Sequence, residues 1–167
     1  MVDAGVKDSF EFSECLVSCL GGSLRLLIVY RPPYSSDNRA TVSVFLREFS
    51  DYLESFVLSK EQISIAGDFN IHVDDIRNVD AVTFLDVLES FGLQQHVKQP
   101  THVLGHTLDL IISRYSDNLL KAPPVTDFFV SGHTSLVCNL TSRISSSTAK
   151  VTNYRKLRQI DMESFKN

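Results

Sequence analysis

A short apolar segment followed closely by polar side chains organises this sequence. Residues 63–66 are Ile-Ser-Ile-Ala, which is typical of a buried β-strand, and Gly67 ends the apolar run. Asp68 and Asn70 follow two positions apart, so an extended backbone would place both side chains on one face. Polar groups at the end of a rigid strand are often functional, although Gly, Asp and Asn also favour simple turns. The segment therefore predicts either a functional site or a turn.

Length and composition predict one globular domain. The chain has 167 residues, of which 43% are hydrophobic and 22% are charged, and these are ordinary values for a domain with a real core. No apolar run reaches the length of about 20 residues that spans a bilayer. The N-terminus lacks the basic and then apolar pattern of a signal peptide. We therefore expect an intracellular protein, nuclear or cytoplasmic, with no membrane partner and no secretion.

Charge and cysteine content narrow the classes of function. The net charge of -4 argues against a protein that holds nucleic acid through bulk positive charge. It is compatible with a metal-dependent phosphodiesterase, whose acidic site collects the cation that meets the phosphate. The three cysteines are an odd number, and the spacing of Cys15 and Cys19 fits neither a redox pair nor a zinc site. We expect reduced thiols.

Hydrophobic periodicity in the first half predicts a hairpin followed by a helix. Residues 10–20 and 24–30 are separated by a Gly-Gly pair, which is typical of a β-hairpin. Residues 24–30 are apolar almost throughout, which predicts a central strand covered on both faces. Residues 42–56 carry apolar side chains at spacings of three and four. They predict an amphipathic helix on a sheet face, with its N-cap within residues 35–38.

The second half predicts the same alternation of helices and strands. A helix over residues 80–91 ends at Gly92. Predicted strands follow over residues 93–97, 108–113, 125–130 and 136–140. His133 is expected on the loop between the last two strands, and the whole pattern indicates an α/β layered domain. Residues 143–148 are rich in serine and predict a linker to a basic segment, residues 153–167.

Polar side chains mark the predicted strand ends. They are Tyr30, Asp68 with Asn70, Asp109 and His133. Asp109 interrupts an apolar run, and a carboxylate there requires a partner. The side chains together favour phosphodiester hydrolysis, in which Asp109 supports the imidazolium of His133 and Asp68 aligns or deprotonates water. Asn70 would hold phosphate or a divalent cation, while the ring of Tyr30 would equally suit packing at a sheet edge.

Four short motifs in order resemble a known family. They are Tyr-Arg-Pro-Pro-Tyr at 30–34, Gly-Asp-Phe-Asn-Ile-His at 67–72, His-Thr-Leu-Asp-Leu-Ile-Ile-Ser at 106–113 and Ser-Gly-His at 131–133. Together they resemble the C-terminal portion of the apurinic-like endonuclease domain of LINE or jockey-type non-LTR retrotransposons. That domain belongs to the endonuclease/exonuclease/phosphatase superfamily. The tail at residues 153–157 also resembles the connector toward a reverse transcriptase.

The resemblance implies a fold and an activity. The fold would be a partial four-layered α/β/β/α sandwich over residues 1–142, followed by a linker and connector over residues 143–167. The activity would be Mg²⁺-dependent, or Mn²⁺-dependent, nicking of one DNA strand.

The resemblance also implies a role for each motif residue. Tyr30 would contact the phosphate region. Asp68 would handle the nucleophilic water, and Asn70 would bind phosphate or metal. Asp109 and His133 would form the supporting pair. His72 lies in the motif, but we expect it to be structural.

Two departures from the family pattern predict a weakened site. The family begins earlier, with an asparagine strand and a metal-binding glutamate, so this chain is expected to begin inside the fold. The family has Ser-Asp-His where residues 131–133 are Ser-Gly-His, and Gly132 removes a metal-binding carboxylate. Because Mg²⁺ relies on carboxylates, we expect weak metal binding through Asp68 and Asn70 and weak or lost activity. Uncovered sheet edges would also promote self-association.

Two alternative functions stay open at this point. A domesticated remnant would bind nucleic acid or protein without cleaving, and the acidic pI of about 5.7 favours a protein partner. A phosphatase of small phosphate esters would share the superfamily chemistry, although the motif at residues 30–34 favours the endonuclease.

Overall fold

The computed structural model describes residues 2–142, so the predicted linker and connector lie outside the described residues. The strands are β1 (Val2–Val6), β2 (Glu11–Cys19), β3 (Gly22–Tyr30), β4 (Gln62–Asp68), β5 (Leu93–Gln95), β6 (Asp109–Arg114), β7 (Val125–Val130) and β8 (His133–Val137). The helices are α1 (Val42–Glu54) and α2 (Val79–Ser90), with a 3-10 turn at Tyr115–Asp117. None of the described helices is long and apolar enough to cross a membrane.

Six strands form one mixed sheet in the order β1-β2-β3-β4-β6-β5, and β7 pairs with β8 in a separate two-stranded sheet. The predicted hairpin is confirmed, although its turn is Leu20-Gly21, because Cys19 pairs with Gly22. β3 and β4 are parallel, since α1 carries the chain back across the sheet between them. β1 was not predicted from the sequence.

One apolar core joins both helices to one face of the large sheet. The core residues of β3, β4 and β6 alternate along the strands, and they are Leu27, Val29, Ile63, Ile65, Leu110 and Ile112. Phenylalanines fill the space between the helices and the sheet: Phe45 and Phe49 of α1 stack with ring centroids 5.1 Å apart. Phe69, which directly follows β4, lies 5.3 Å from Phe84 of α2. The segment beside the candidate site is therefore anchored by a buried ring.

The helix caps refine the sequence prediction. α1 begins after Thr41, whose side chain accepts a hydrogen bond from the Val44 amide, so the N-cap predicted within residues 35–38 is wrong. Ser35 and Asn38 instead close a turn of their own, in which the Ser35 hydroxyl accepts from the Asn38 amide at 3.0 Å. α2 is capped by Asn78, and Gly92 follows it with a φ of 67°.

The face of the large sheet opposite the helices is partly open. Ile28 is 46% exposed and Tyr30 is 45% exposed, so the prediction that this strand is covered on both faces is wrong. The strand is central in its pairing, but only one of its faces meets a helix layer. The observed architecture is a mixed α/β fold, and the four-layered sandwich stays a prediction.

The last hairpin begins earlier than predicted. β8 begins at His133 and ends at Val137, so His133 lies in a strand and not on a loop. The cause is a two-residue turn in which Ser131 and Gly132 both have positive φ values, 51° and 92°. Such a turn lets pairing resume at once, and Val130 pairs directly with His133.

Candidate active site

Three neighbouring strands of the large sheet bring the predicted site residues together. Tyr30 is the register partner of Asp68, and Asp68 is the register partner of Asp109. Val29 and Leu110 are buried in the helix-side core. Because successive strand residues alternate between faces, their neighbours Tyr30 and Asp109 lie on the opposite, partly open face. The site therefore lies on the face of the sheet that the helices leave uncovered.

Asp109 has the partner that its position in an apolar strand required. Its Oδ2 accepts a hydrogen bond from Nδ1 of His133 at 2.9 Å. The Asp109 backbone N–H donates to the Thr101 hydroxyl oxygen at 3.0 Å, which fixes the start of the strand. The hydrogen bond to Asp109 raises the pKa of the His133 imidazole. The pair thus holds a histidine in one orientation and favours its protonated form.

Asp68 and Asn70 form a second unit. The Asn70 backbone N–H donates to Asp68 Oδ1 and its side-chain amide donates to Asp68 Oδ2, both at 3.0 Å. The same amide nitrogen donates to the Arg31 carbonyl oxygen at 2.8 Å. Burial raises the pKa of the Asp68 carboxyl group. A carboxylate that is partly desolvated and held from two sides is suited to accept a proton.

The local backbone differs from the extended chain that we expected. β4 continues through Gly67 to Asp68, so the predicted strand end at residue 66 is wrong. Asn70 has a φ of 48°, a left-handed conformation that asparagine tolerates better than most residues. Asp68 and Asn70 therefore meet through a tight turn, and not because they share one face of a strand.

Gly67 is required by a close approach of two strands. Its φ is 149°, and a Cβ atom built there would lie 1.8 Å from the Val29 carbonyl oxygen. No side chain fits in that space. The glycine thus allows β3 and β4 to stay paired up to Tyr30 and Asp68, which sets the spacing of the site.

One cluster of these residues has the donor set of a metal site. Asp68, Asp109 and His133 each offer one ligand atom, and these atoms lie within 4.8 Å of one another. The two carboxylates are hard donors that fit Mg²⁺ or Mn²⁺, whereas an imidazole nitrogen suits Mn²⁺ better than Mg²⁺. Asn70 borders this cluster through Asp68. Its amide nitrogen donates to Arg31 and Asp68, so its amide oxygen is the atom that it would offer to a cation.

Two predicted positions have other surroundings. Tyr30 is adjacent to Asp68 in the sheet and half exposed, so its ring is available to a ligand. His72 lies in the motif but stacks on His106, with ring centroids 4.0 Å apart. His106 in turn contacts Asp74 at 3.2 Å. This contact agrees with a structural role for His72.

Sequence reasoning missed two residues that border the site. Arg31 is only 3% exposed, and its guanidinium donates to the carbonyl oxygens of Phe69 at 3.3 Å and Asn70 at 3.2 Å. A charged residue between an apolar strand and two prolines was a usable signal for Arg31. His102 lies against His133, with ring centroids 4.9 Å apart. The loop that carries His102 gave no signal of its own.

Comparison with known proteins identifies the fold. No protein-family model matches the sequence. No curated protein sequence matches it either. An endonuclease/exonuclease/phosphatase family protein from Leptotrichia buccalis C-1013-b has a TM-score of 0.56 at 13% identity, covering 78% of this chain and 53% of its own. The catalytic domain of human Nocturnin, solved with a bound sulfate anion, has a TM-score of 0.52 at 15% identity, covering 84% of this chain and 60% of its own.

These similarities establish the fold alone, because the identities are low. The chain spans between half and three fifths of the length of the two solved structures. Within that span it has the fold of endonuclease/exonuclease/phosphatase family proteins.

Proposed function

We propose that this chain is a phosphodiester hydrolase of the endonuclease type, derived from the DNA-nicking domain of a non-LTR retrotransposon. The observation that carries the proposal is the Asp109–His133 hydrogen bond next to Asp68, on a fold shared with endonuclease/exonuclease/phosphatase proteins. The order of the four sequence motifs supports the retrotransposon class. The partner would be the target DNA strand.

Each residue has a defined role in the proposed reaction. Asp68 accepts a proton from water as that water attacks phosphorus, and Asn70 holds the Asp68 carboxylate in place. The bond from phosphorus to the leaving oxygen then breaks, and the leaving oxygen takes a proton from solvent, which yields an alcohol and a phosphomonoester. His133, oriented by Asp109, stabilises the negative charge that builds on the phosphate oxygens. Tyr30 contacts the phosphate region.

A divalent cation is part of the proposal. Asp68 and Asn70 would hold it, with the Asp109 carboxylate beside them. Bound Mg²⁺ or Mn²⁺ would supply charge neutralisation at the phosphate oxygens. Binding is expected to be weak, because the cluster in residues 2–142 holds two carboxylates and Gly132 adds none. We therefore propose weak or lost activity for this chain on its own.

Nicking of supercoiled plasmid tests the proposal. Wild type, Asp68→Asn, Gly132→Asp and Gly132→Asn would be compared in Mg²⁺ and in Mn²⁺. We expect Gly132→Asp to nick faster than wild type, with the larger rates in Mn²⁺. Gly132→Asn is the matched control, because it adds a side chain of the same shape without the charge. If Gly132→Asp nicks with neither cation, or if adding Asp68→Asn to Gly132→Asp leaves its nicking rate unchanged, the proposal is wrong.

A binding module without catalysis is the second candidate. The observation that favours it is the open face of the sheet, where Val6, Ile28 and Tyr30 line a shallow cavity of about 400 Å³. Binding through phosphates would weaken as salt increases, whereas a protein-binding module would show no affinity for DNA. Titration of labelled DNA at two salt concentrations separates these outcomes.

We also propose that the chain self-associates. Within residues 2–142, β1 pairs only with β2, so one of its edges presents unpaired backbone groups. Light scattering at tens of micromolar should give a mass above that of a monomer. A sharp monomeric peak would contradict this proposal.

A further inference from the structure

His102 lies beside the predicted catalytic histidine in a fixed arrangement. Its ring meets the ring of His133 at an interplanar angle of 71°, with centroids 4.9 Å apart. The two residues also form an isolated backbone bridge, although they belong to different segments of the chain. His102 is therefore a neighbour of the candidate site through both its backbone and its side chain.

The loop that carries His102 is held to the β7–β8 turn by several backbone hydrogen bonds. The Val103 amide donates to the Gly132 carbonyl at 2.9 Å, and the Thr134 amide donates to the Thr101 carbonyl at 2.8 Å. Thr101 itself is fully buried. These bonds lie on both sides of His102 along the chain, so its ring is positioned by a supported loop and not by a free one.

Hydrogen bonds assign one nitrogen of each ring. The Leu104 amide donates to Nδ1 of His102 at 3.3 Å, so this nitrogen is an acceptor and the neutral ring carries its proton on Nε2. Nδ1 of His133 is engaged with Asp109. Among the described residues, neither Nε2 atom has a hydrogen-bond partner of its own. The pair therefore offers an N–H donor from His102 next to the ring of His133.

The space in front of this donor is open because residue 132 is glycine. A Cβ atom built on Gly132 would have His102 Nε2 at 3.6 Å as its only contact within 4 Å, apart from its neighbours in the chain. A side chain at this position would narrow that space. In this chain, an oxygen atom of a ligand can occupy it and meet Nε2–H of His102.

We propose that His102 is a phosphate-binding residue, whose Nε2–H donates to a non-bridging oxygen of a phosphodiester in the space beside Gly132. The ligand class follows from the donor and the proposed function together, because an N–H group donates to an acceptor oxygen and cannot ligate a cation through the same atom. The inference rests on the proposed function, since the phosphodiester is the substrate of that site. It adds a direct contact to phosphate that needs no metal ion.

The contact predicts that a phosphodiester binds in the presence of a chelator. The probe is the dinucleotide thymidylyl-thymidine with EDTA, observed through the imidazole ¹⁵N resonances. On titration, His102 Nε2 should shift together with His133, while His72 should not. His102→Phe, which keeps a ring but removes the N–H group, should weaken binding about tenfold. His102→Gln, which restores an N–H donor, should recover most of the affinity.

The control is His72→Gln, which alters a histidine outside the proposed contact and should bind like wild type. Backbone amide spectra would show whether each variant keeps its fold. If His102→Phe does not fold, the affinity of His102→Gln for the dinucleotide is compared with that of wild type instead. The inference is wrong if His102→Phe binds the dinucleotide as tightly as wild type, or if His102→Gln binds no more tightly than His102→Phe. It is also wrong if wild type does not bind the dinucleotide.

Plasmid nicking separates this inference from the proposed function. If the dinucleotide binds through His102 but no variant nicks DNA, the phosphate contact stands and the hydrolase proposal fails. If DNA is nicked and His102→Phe nicks with an unchanged kcat/KM, the hydrolase proposal stands and the contact is wrong.

Discussion

The two halves of the candidate site are built in opposite ways. The turn from Gly67 to Asn70 is enclosed: a buried phenylalanine anchors it, a buried guanidinium binds its carbonyl oxygens, and its carboxylate accepts two hydrogen bonds. The turn at Ser131 and Gly132 is open, and a side chain at Gly132 would meet only His102 beyond its chain neighbours. The carboxylate half is preorganised, whereas the histidine half has room for a ligand.

This difference separates what the fold requires from what function requires. Gly67, Phe69 and Arg31 of the enclosed half cannot change without affecting strand pairing or the core, because their surroundings are buried or crowded. Gly132 has a positive φ but no crowding, so its substitution should affect ligands more than folding. Substitutions of similar chemistry in the two halves should therefore have very different effects on stability.

The largest effect is expected for Gly67→Ala. A Cβ atom at this position would lie 1.8 Å from the Val29 carbonyl oxygen, and the β3–β4 pairing would have to break. We expect a loss of about 4 kcal/mol or more in the free energy of unfolding, measured by urea denaturation. Gly21→Ala is the control, because Gly21 has a φ of 92° but nothing within 4 Å. It should cost only about 1 kcal/mol, and equal losses for both variants would refute the distinction.

Arg31→Met should give the next largest loss. The variant keeps an apolar stem but removes the donors to the Phe69 and Asn70 carbonyl oxygens. We expect a decrease of about 2 to 3 kcal/mol in the free energy of unfolding, which is typical when buried acceptors lose a charged donor.

The amide resonance of Asn70 is the local readout of the Arg31 substitution. It should change in Arg31→Met, because the carbonyl oxygens on both sides of that amide lose their donor. Arg31→Lys keeps the positive charge but lacks the planar guanidinium group. It should therefore recover only part of the free energy of unfolding that Arg31→Met loses. Full recovery by lysine would mean that charge alone matters at this position.

Much of this architecture was accessible from the sequence. The β2–β3 hairpin and the helices α1 and α2 follow patterns of apolar spacing that local physics dictates. The requirement that Asp109 have a partner followed from the cost of an unpaired carboxylate in an apolar strand, and His133 meets it. These predictions succeeded because each depended on residues close in sequence or on one strong energetic rule.

The remaining features depend on contacts between distant segments. The extension of β4 to Asp68 depends on how closely Gly67 approaches Val29, which one strand cannot reveal. The place of His102 depends on pairing between its loop and the last hairpin. Whether a sheet face is covered depends on which elements pack against it. Because residues 24–30 of β3 are apolar almost throughout, their sequence did not distinguish the covered residues from the exposed ones.

Gly132→Asn should show how tolerant the open half is. The φ of Gly132 is 92°, so any side chain is strained there, but the space is free. We expect a loss of about 1 kcal/mol in the free energy of unfolding, and a similar loss for Gly132→Asp. Losses as large as that of Gly67→Ala would mean that the two halves are equally constrained.

Asp109→Asn is expected to have the smallest effect on the free energy of unfolding. Its main effect should be on the pKa of His133. The hydrogen bond to Asp109 raises the pKa of His133, so its removal should lower that pKa toward the ordinary histidine value of about 6.5. NMR titration of the His133 ring protons measures this directly. Asp68→Asn is the control, because its charge also raises the pKa of His133 but ranks below both contributions of Asp109.

The sign of the pH dependence follows from the raised pKa. Because the folded state binds the proton more tightly than the unfolded state, the stabilisation by the pair is fully present below the unfolded pKa. It is lost as pH rises through the folded pKa. The difference in unfolding free energy between wild type and Asp109→Asn should therefore be larger near about pH 5.5 than near about pH 8.5. A difference that does not change with pH would show that Asp109 stabilises the fold through contacts other than the one with the His133 imidazolium.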